Sequence, residues 1–295
     1  MKKKIVALVT CHNRRELTLS MLEFLFAQKV NSSFSLECCL VDDASTDGTR
    51  DAVQDRFPDV NILTGSGHLF WAGGMRFGWS EFVRNQTFDY LLVLNDDVLL
   101  YESALQQLID VEALIRADGC DRSCVVGAFC DPQSGNVAYS GVKRSSFWHP
   151  GRFSQVVPTG SPYACDSLNM NFALIARESL DCIGFLSEIY THAKADFDFG
   201  LRLRAAGGQV VLAPDYVGEA RRNPVSQGVE SPDLSFRERW KRLTGIKGEP
   251  LWERAEFYRR HGGCLWMFYW LLPYGRILVQ EAISFLIGRN MVKGE

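Results

Sequence analysis

Nowhere does this 295-residue chain run to the ~18 to 20 consecutive apolar residues of a membrane span. The closest run, Cys264-Leu265-Trp266-Met267-Phe268-Tyr269-Trp270-Leu271-Leu272, stops at Pro273. A signal peptide is not expected either. The basic start Met1-Lys2-Lys3-Lys4 leads into an apolar stretch that ends at Cys11-His12-Asn13, too short for a signal core with a cleavage site. Among nine cysteines Cys38 and Cys39 are adjacent and Cys120 and Cys124 are separated by three residues, but no second pair or histidine pair completes a zinc pattern. Without a secretory start they read as reduced thiols of a cytosolic protein. Positive charge is scarce as well: the net charge of −3 excludes a global field that would recruit nucleic acid. The chain has no internal repeat and no low-complexity tract.

What is present is ordinary globular material, 46% hydrophobic and 23% charged, enough for one large or two modest domains. Lys4 to Thr10 is a β-rich apolar run and reads as a buried strand. Asn13 is placed to cap a helix that starts near Arg14-Arg15-Glu16. Leu36 to Val41 is a second strand, and Ser45-Thr46-Asp47-Gly48-Thr49 a turn with a helix cap. Val60 to Leu63 is a third strand. Gly65 to Gly78 reads as a glycine-rich loop running into a helix, and Tyr90 to Leu94 as a fourth strand. Strand and helix thus alternate four times in the first ~115 residues, which predicts a mostly parallel, doubly wound sheet with right-handed crossovers. The second half is less regular. Strands are expected at 125–129, 171–175 and 209–212, and a helix over 195–206 that ends at Gly207-Gly208. The expected organisation is a catalytic domain over 1–220 (halves 1–115 and 116–220), a flexible loop over 221–250 and an aromatic helical tail over 251–295.

The most informative stretch is Leu94-Asn95-Asp96-Asp97-Val98. Two adjacent acids at the end of a buried strand place like charges at the carboxyl edge of the sheet, where ligands of open α/β sheets bind. Such a pair is costly unless something positive joins it. A divalent cation carrying phosphate oxygens suits it, because hard cations take oxygen ligands. The same residues also suit a solvated Asn-Asp-Asp turn.

Further motifs follow in order along the chain: Thr10-Cys11-His12-Asn13, Val41-Asp42-Asp43-Ala44-Ser45-Thr46-Asp47-Gly48-Thr49, Ala72-Gly73-Gly74, the acid pair, and Asp196-Phe197-Asp198 ahead of Leu201-Arg202-Leu203-Arg204-Ala205-Ala206-Gly207. Together, over roughly residues 4–220, they resemble the family-2 glycosyltransferases of the GT-A fold, particularly the bacterial rhamnosyltransferase-like branch. The patterns of that family run close to T-x-N-R, V-D-[DN]-x-S-x-D-G-T, a loop ending A-G-G, L-N-D-D and E-D-x-D-L-x-x-R-x-x-x-A-G. The resemblance implies an inverting, metal-assisted transfer from a nucleotide-diphosphate sugar, dTDP-rhamnose or a UDP-hexose, to a saccharide or lipid-linked acceptor. The setting it implies is O-antigen, capsule or cell-wall synthesis.

It also implies roles by position. Asp43 accepts a hydrogen bond from the base, and Thr10, His12 and Asn13 line that pocket. Gly73 and Gly74 let the backbone approach the donor, and Arg76 contacts the pyrophosphate or a sugar hydroxyl. Asp96 contacts the ribose or the metal, and Asp97, in a DXD-like pair, is the direct ligand of Mg2+ or Mn2+. Asp196 is the catalytic base. The plainer alternatives are a helix-start histidine for His12, a surface arginine for Arg76 and a helix N-cap for Asp196. Asp42 is read as a structural acceptor for its turn, and Asp198 as a first-turn acid favoured by the helix dipole.

Two departures stand out. The family usually carries Glu before the catalytic Asp, and this chain has Ala195. The family often has a metal-binding His after the last strand. Here Val217-Gly218-Glu219-Ala220-Arg221-Arg222 has none, so either Glu219 takes the metal or Arg221 and Arg222 neutralise the diphosphate. Trp71, Phe147, Trp148, His149 and Tyr163 are aromatics in or near expected loops, suited to sugar faces or to plain packing. Two alternatives are a sugar-nucleotide-binding scaffold without catalysis and a nucleotidyltransferase, whose glycine- and lysine-rich first loop is missing here. The aromatic tail with Arg259, Arg260, Arg276 and Arg289 suits a helix lying on the inner face of the cytoplasmic membrane, or packing on the domain or on a second copy of the chain.

Overall fold

In this computed structural model the described residues are 2–146, 148–221, 234–245 and 250–292, with backbone alone for 283–292. Phe147, Arg222 and the Arg289 side chain, along with 223–233, 246–249 and 293–295, fall outside what is described. The chain forms two compact units, Met1–Lys143 with Phe153–Arg222, and Arg144–Arg152 with Asn223–Glu295.

The first unit begins β1 (Lys3–Cys11), α1 (Arg15–Phe26), β2 (Phe34–Asp42), α2 (Thr49–Arg56), β3 (Asn61–Thr64), α3 (Phe70–Glu81) and β4 (Tyr90–Leu94). It continues with β5 (Leu99–Leu100), α4 (Ala104–Ala117), β6 (Ser123–Cys130), β7 (Val137–Tyr139), β8 (Gly141–Arg144) and β9 (Phe153–Gln155). Then come β10 (Tyr163–Cys165), β11 (Ser167–Leu168), β12 (Phe172–Ala176), α5 (Arg177–Ile183), α6 (Ala195–Ala205) and β13 (Gln209–Glu219). The main sheet runs β10-β13-β6-β12-β4-β1-β2-β3, with β5 added to β13 and β7 to β6. A small sheet, β11-β8-β9, stands apart from it.

The four strands read from alternating strand and helix patterns, β1 to β4, are mutually parallel. β12 enters antiparallel between β4 and β6, and β13 returns parallel to β6. The sheet is therefore mostly parallel, with an antiparallel insertion. Ile5 to Val9 and Leu91 to Leu94 are fully buried. Each such side chain contributes about 1.5–3 kcal/mol when removed from water, which makes these strands the anchor of the carboxyl edge.

Three local expectations are corrected. The segment expected as a loop up to Gly78 is helical from Phe70, so Gly73 and Gly74 belong to α3. A Cβ on Gly74 would meet Thr10 Oγ1 at 2.3 Å, and one on Gly78 would meet Leu8 Cδ1 at 2.4 Å, so these glycines let a helix lie against β1. Asn13 does not cap α1: the helix follows Arg14, and the Asn13 amide oxygen accepts instead from the Thr46 backbone N–H at 2.7 Å. The third correction lies in the second unit, inside the segment expected to be a flexible loop. Helix α7 (Phe236–Thr244) is held there by a reciprocal cap in which Ser235 and Glu238 bond each other's backbone N–H. The S-x-x-E signal for it was present in the sequence. Helices α8 (Leu251–His261) and α9 (Trp266–Val292) follow. No helix among the described residues is long and apolar enough to cross a membrane.

Candidate active site

The carboxyl ends of β1, β2 and β4 deliver their loops to one edge. After β2, the Asp43 carboxylate accepts the backbone N–H of Gly67 at 2.7 Å and of Leu69 at 2.8 Å, one on each oxygen. It thereby fixes the entry to α3, and the base contact expected of it has to share a carboxylate already holding two amides. Asp42 is the structural acceptor expected, taking the Ser45 N–H at 2.9 Å. After β1, His12 Nδ1 lies 2.6 Å from the Asp43 carbonyl oxygen, so that nitrogen carries the proton. Its Nε2 then accepts from the Asn13 side-chain amide at 3.1 Å. The His12 ring is exposed, and its orientation is fixed by the two neighbouring loops.

After β4 come the acids. Asp96 is 5% exposed, and burial pushes its carboxyl up to about 6 against the pull of Arg14 and with a further push from Asp97. That shift corresponds to about 3 kcal/mol of lost ionisation, a cost the buried β4 side chains more than offset. One atom joins the pair: Arg14 Nη1 stands 2.9 Å from Asp96 Oδ1 and 2.9 Å from Asp97 Oδ2. The two carboxylates thus converge on a single positive point, which is the geometry a shared cation needs. Arg14 had no role in the sequence reading. Its only signals there were its place directly after Asn13 and its match to the R of the T-x-N-R pattern, and neither pointed to acids more than 80 positions away.

Glu219 ends β13, paired with Leu99 of β5 two residues beyond Asp97, and, after burial, its charge helps raise the Tyr101 hydroxyl above its ordinary range. Among the described residues no group of three or more His, Cys, Asp or Glu side chains is arranged to hold a metal.

The antiparallel insertion brings the second carboxylate. Asn95 N–H donates to Asn171 O at 3.1 Å just ahead of β12. One residue earlier stands Met170, whose amide favours the ionised form of Asp196, while the Asp196 carboxylate accepts the Phe197 N–H at 2.8 Å. The start of β12 thus stands beside the end of β4 that carries Asp96 and Asp97, with Phe172 paired to Leu94. Asp196 is partly buried in the first turn of α6, behind Ala195 and not at the cap position, which is Lys194. Burial pushes its carboxyl up to about 6, with the Phe197 and Met170 amides and the Lys194 charge opposing. Asp198, expected as a plain first-turn acid, is wholly buried. It takes Arg202 Nε at 2.7 Å and the Tyr190 hydroxyl at 3.3 Å.

Arg76 Nη1 donates to Ser187 O at 3.0 Å and Tyr190 O at 2.6 Å, so it ties the segment before α6 to α3. Trp71 donates from Nε1 to Asn95 Oδ1 at 2.9 Å and so stands at the acid loop, while Tyr163 lies on β10 and Trp148 and His149 belong to the second unit. Non-glycine residues with positive φ among those described are Asn13 (52°), Ala44 (57°), Phe70 (54°) and Lys194 (67°). Each follows a strand end of this edge or precedes Asp196, and each costs on the order of 1–3 kcal/mol. Strain of this kind persists only where packing over-determines it.

Comparison with curated proteins finds no match. Among solved structures, the mannosyltransferase PcManGT from Pyrobaculum calidifontis, in complex with GDP-Man and Mn2+, is similar with a TM-score of 0.52 and 17% sequence identity. The similarity covers 74% of this chain and 57% of that one, and at such identity it carries the GT-A fold alone. The sequence pattern of "Glycosyl transferase family 2" matches residues 6–174. This is more than half of the chain and takes in β1 through the acid pair to β12, so the chain belongs to glycosyl transferase family 2.

Proposed function

We propose that this glycosyltransferase is an inverting enzyme that moves a sugar from a nucleoside-diphosphate sugar to a hydroxyl of a saccharide or lipid-linked saccharide. What supports this reading is the family match together with the start of β12 beside the acid-bearing end of β4, where the Asn95 N–H meets Asn171 O and the Met170 amide favours an ionised Asp196. In direct displacement the acceptor oxygen bonds the anomeric carbon as the bond to the diphosphate breaks, with the electron pair leaving on the diphosphate. Asp196, a carboxylate above pH ~6, takes the acceptor's proton. Asp43 and the amides of Gly67 and Leu69 hold the nucleotide-side loop, with His12 and Asn13 beside it. A divalent cation such as Mg2+ or Mn2+, held by Asp97 and Asp96, would neutralise charge on the departing diphosphate. The branch favoured by the motifs is rhamnosyltransferase-like, with dTDP-rhamnose or a UDP-hexose as donor. The mannosyltransferase neighbour adds GDP-mannose to the donors worth testing.

The decisive experiment is a thermal-shift screen of nucleotide sugars with and without Mn2+, followed by transfer assays with Asp196→Asn. A binding donor raises the melting temperature by mass action. Donor binding retained with transfer lost in the variant supports the base assignment. Donor binding without transfer by the unaltered chain supports the scaffold reading.

For the acceptor we propose contact with an anionic bilayer in a bacterial surface-polysaccharide pathway. On α9, Met267, Phe268, Leu271, Leu278 and Val279 are each 50–58% exposed, and the first three join Arg276 and Gln280 around an open apolar hollow of about 530 Å3. Arg259 and Arg260 are less available for lipid than the sequence suggested, because both bond Glu256.

A further inference from the structure

Asp96 and Asp97 are met by a guanidinium from a loop 82 and 83 positions away in sequence. A single nitrogen bridges both acids, and the arginine side chain, 47% exposed, is not packed into a core. Its location is the point equidistant from the two carboxylates, where an ion ligated by both would sit. A guanidinium and a divalent cation cannot share that point, because like charges a few ångströms apart repel.

We propose that Arg14 is a displaceable counter-cation: it holds the acid pair charged and aligned, and it competes directly with the divalent ion for Asp96 and Asp97. This rests on the metal-assisted reading of the same site. Its functional consequence is an ordered arrival. The ion by itself must evict Arg14, whereas an ion entering with a diphosphate brings oxygens to which the released guanidinium can bond. Arg14 is a positioning residue in this scheme and not a catalytic one.

The test is Mn2+ binding without nucleotide, read from the loss of the free-ion paramagnetic resonance signal, for the full chain and for Arg14→Ala, Arg14→Lys and Asp97→Asn. Removing two ion pairs at a partly buried carboxylate is expected to tighten Mn2+ binding about tenfold in Arg14→Ala. Arg14→Lys, which keeps the charge but loses the fork, should fall between. Asp97→Asn should weaken binding in either background, which identifies the site being read. Circular dichroism checks that the variants fold, which the exposure of Arg14 leads one to expect. Mn2+ affinity in Arg14→Ala equal to or weaker than that of the unaltered chain overturns the proposal. Binding of UDP, GDP and dTDP is measured alongside by thermal shift, both with Mn2+ and in EDTA, and counts as absent only where neither condition shows it. Nucleotide bound with Mn2+ affinity unchanged removes the Arg14 assignment alone. No nucleotide bound with Mn2+ affinity raised removes the donor reading and leaves Arg14 as assigned.

Discussion

Burial holds the Asp196 carboxyl at about 6, above its ordinary range near 3.8, and this has two measurable consequences of opposite sign. The ionised form is the base, so kcat/KM is expected to fall with unit slope as pH drops below about 6 and to level off above it. A pH–rate profile flat down to pH 4 would remove Asp196 from the role. For folding, the folded state binds this proton more tightly than the unfolded chain does, so the contribution to stability declines as pH rises from about 4 to 6. Asp196→Asn is therefore expected to melt a few degrees higher than the unaltered chain at pH 7.5, with the difference gone near pH 4. Its kcat should fall by about 10²–10⁴. At this scale the positions of Asp96 and Asp97 after a strand and of Asp196 at a helix start were legible, because local patterns mark such ends. Arg14 and Arg76 were not, since their partners lie 82 and more positions away and no local period records such a pairing. The burial of Asp198 was hidden because its partner Arg202, at i+4, makes the same pattern as a surface dipole pair, and only the packing of α6 on that side distinguishes the two.

Helix α3 carries adjacent glycines with different surroundings. On Gly74 a Cβ would strike Thr10 Oγ1 at 2.3 Å, whereas on Gly73 it would meet nothing nearer than Leu69 Cβ at 3.5 Å. Gly74→Ala is expected to destabilise by about 1–3 kcal/mol through overpacking. Gly73→Ala should be neutral or stabilising by up to about 1 kcal/mol, since alanine is the better helix former. Urea titrations of the two variants check this, and equal effects would refute the close-approach account. Strands β1 to β4 were readable because short, continuous apolar runs rich in branched residues and bounded by turns suit buried strands and little else. The start of α3 was not, because paired glycines lower local helix propensity while tertiary packing of Ala72, Met75 and Gly78 against β1 and β2 overrides it. Helix α7 was obscured for the opposite reason: its cap was visible, but the surrounding proline and glycine content argued for a loop.

For the molecule as a whole, the lipid reading predicts that the full chain co-sediments with phosphatidylglycerol vesicles and much less with phosphatidylcholine alone. Phe268→Glu with Leu271→Glu should release it, because each half-exposed apolar side chain adds about 1 kcal/mol or more on entering hydrocarbon. Retention of the double variant on the vesicles would dismiss α9 as the contact. A drop in apparent mass on gel filtration for that variant would identify a second copy of the chain as the partner of this face. The parallel half of the sheet was legible from the order of strands and helices. The antiparallel entry of β12 was not, since a five-residue apolar run carries no mark of direction.

That entry has a consequence for how the protein is made. β12 sits between β4 and β6 although it is synthesised some 80 residues after the first and 40 after the second. Until the ribosome has released residue 176, β4 and β6 each expose an unsatisfied apolar border with nothing of their own to zip against. A nascent chain at that stage is a strand-acceptor for any passing peptide at the border that β12 will fill, and the other border of β6 stays open until β13 follows.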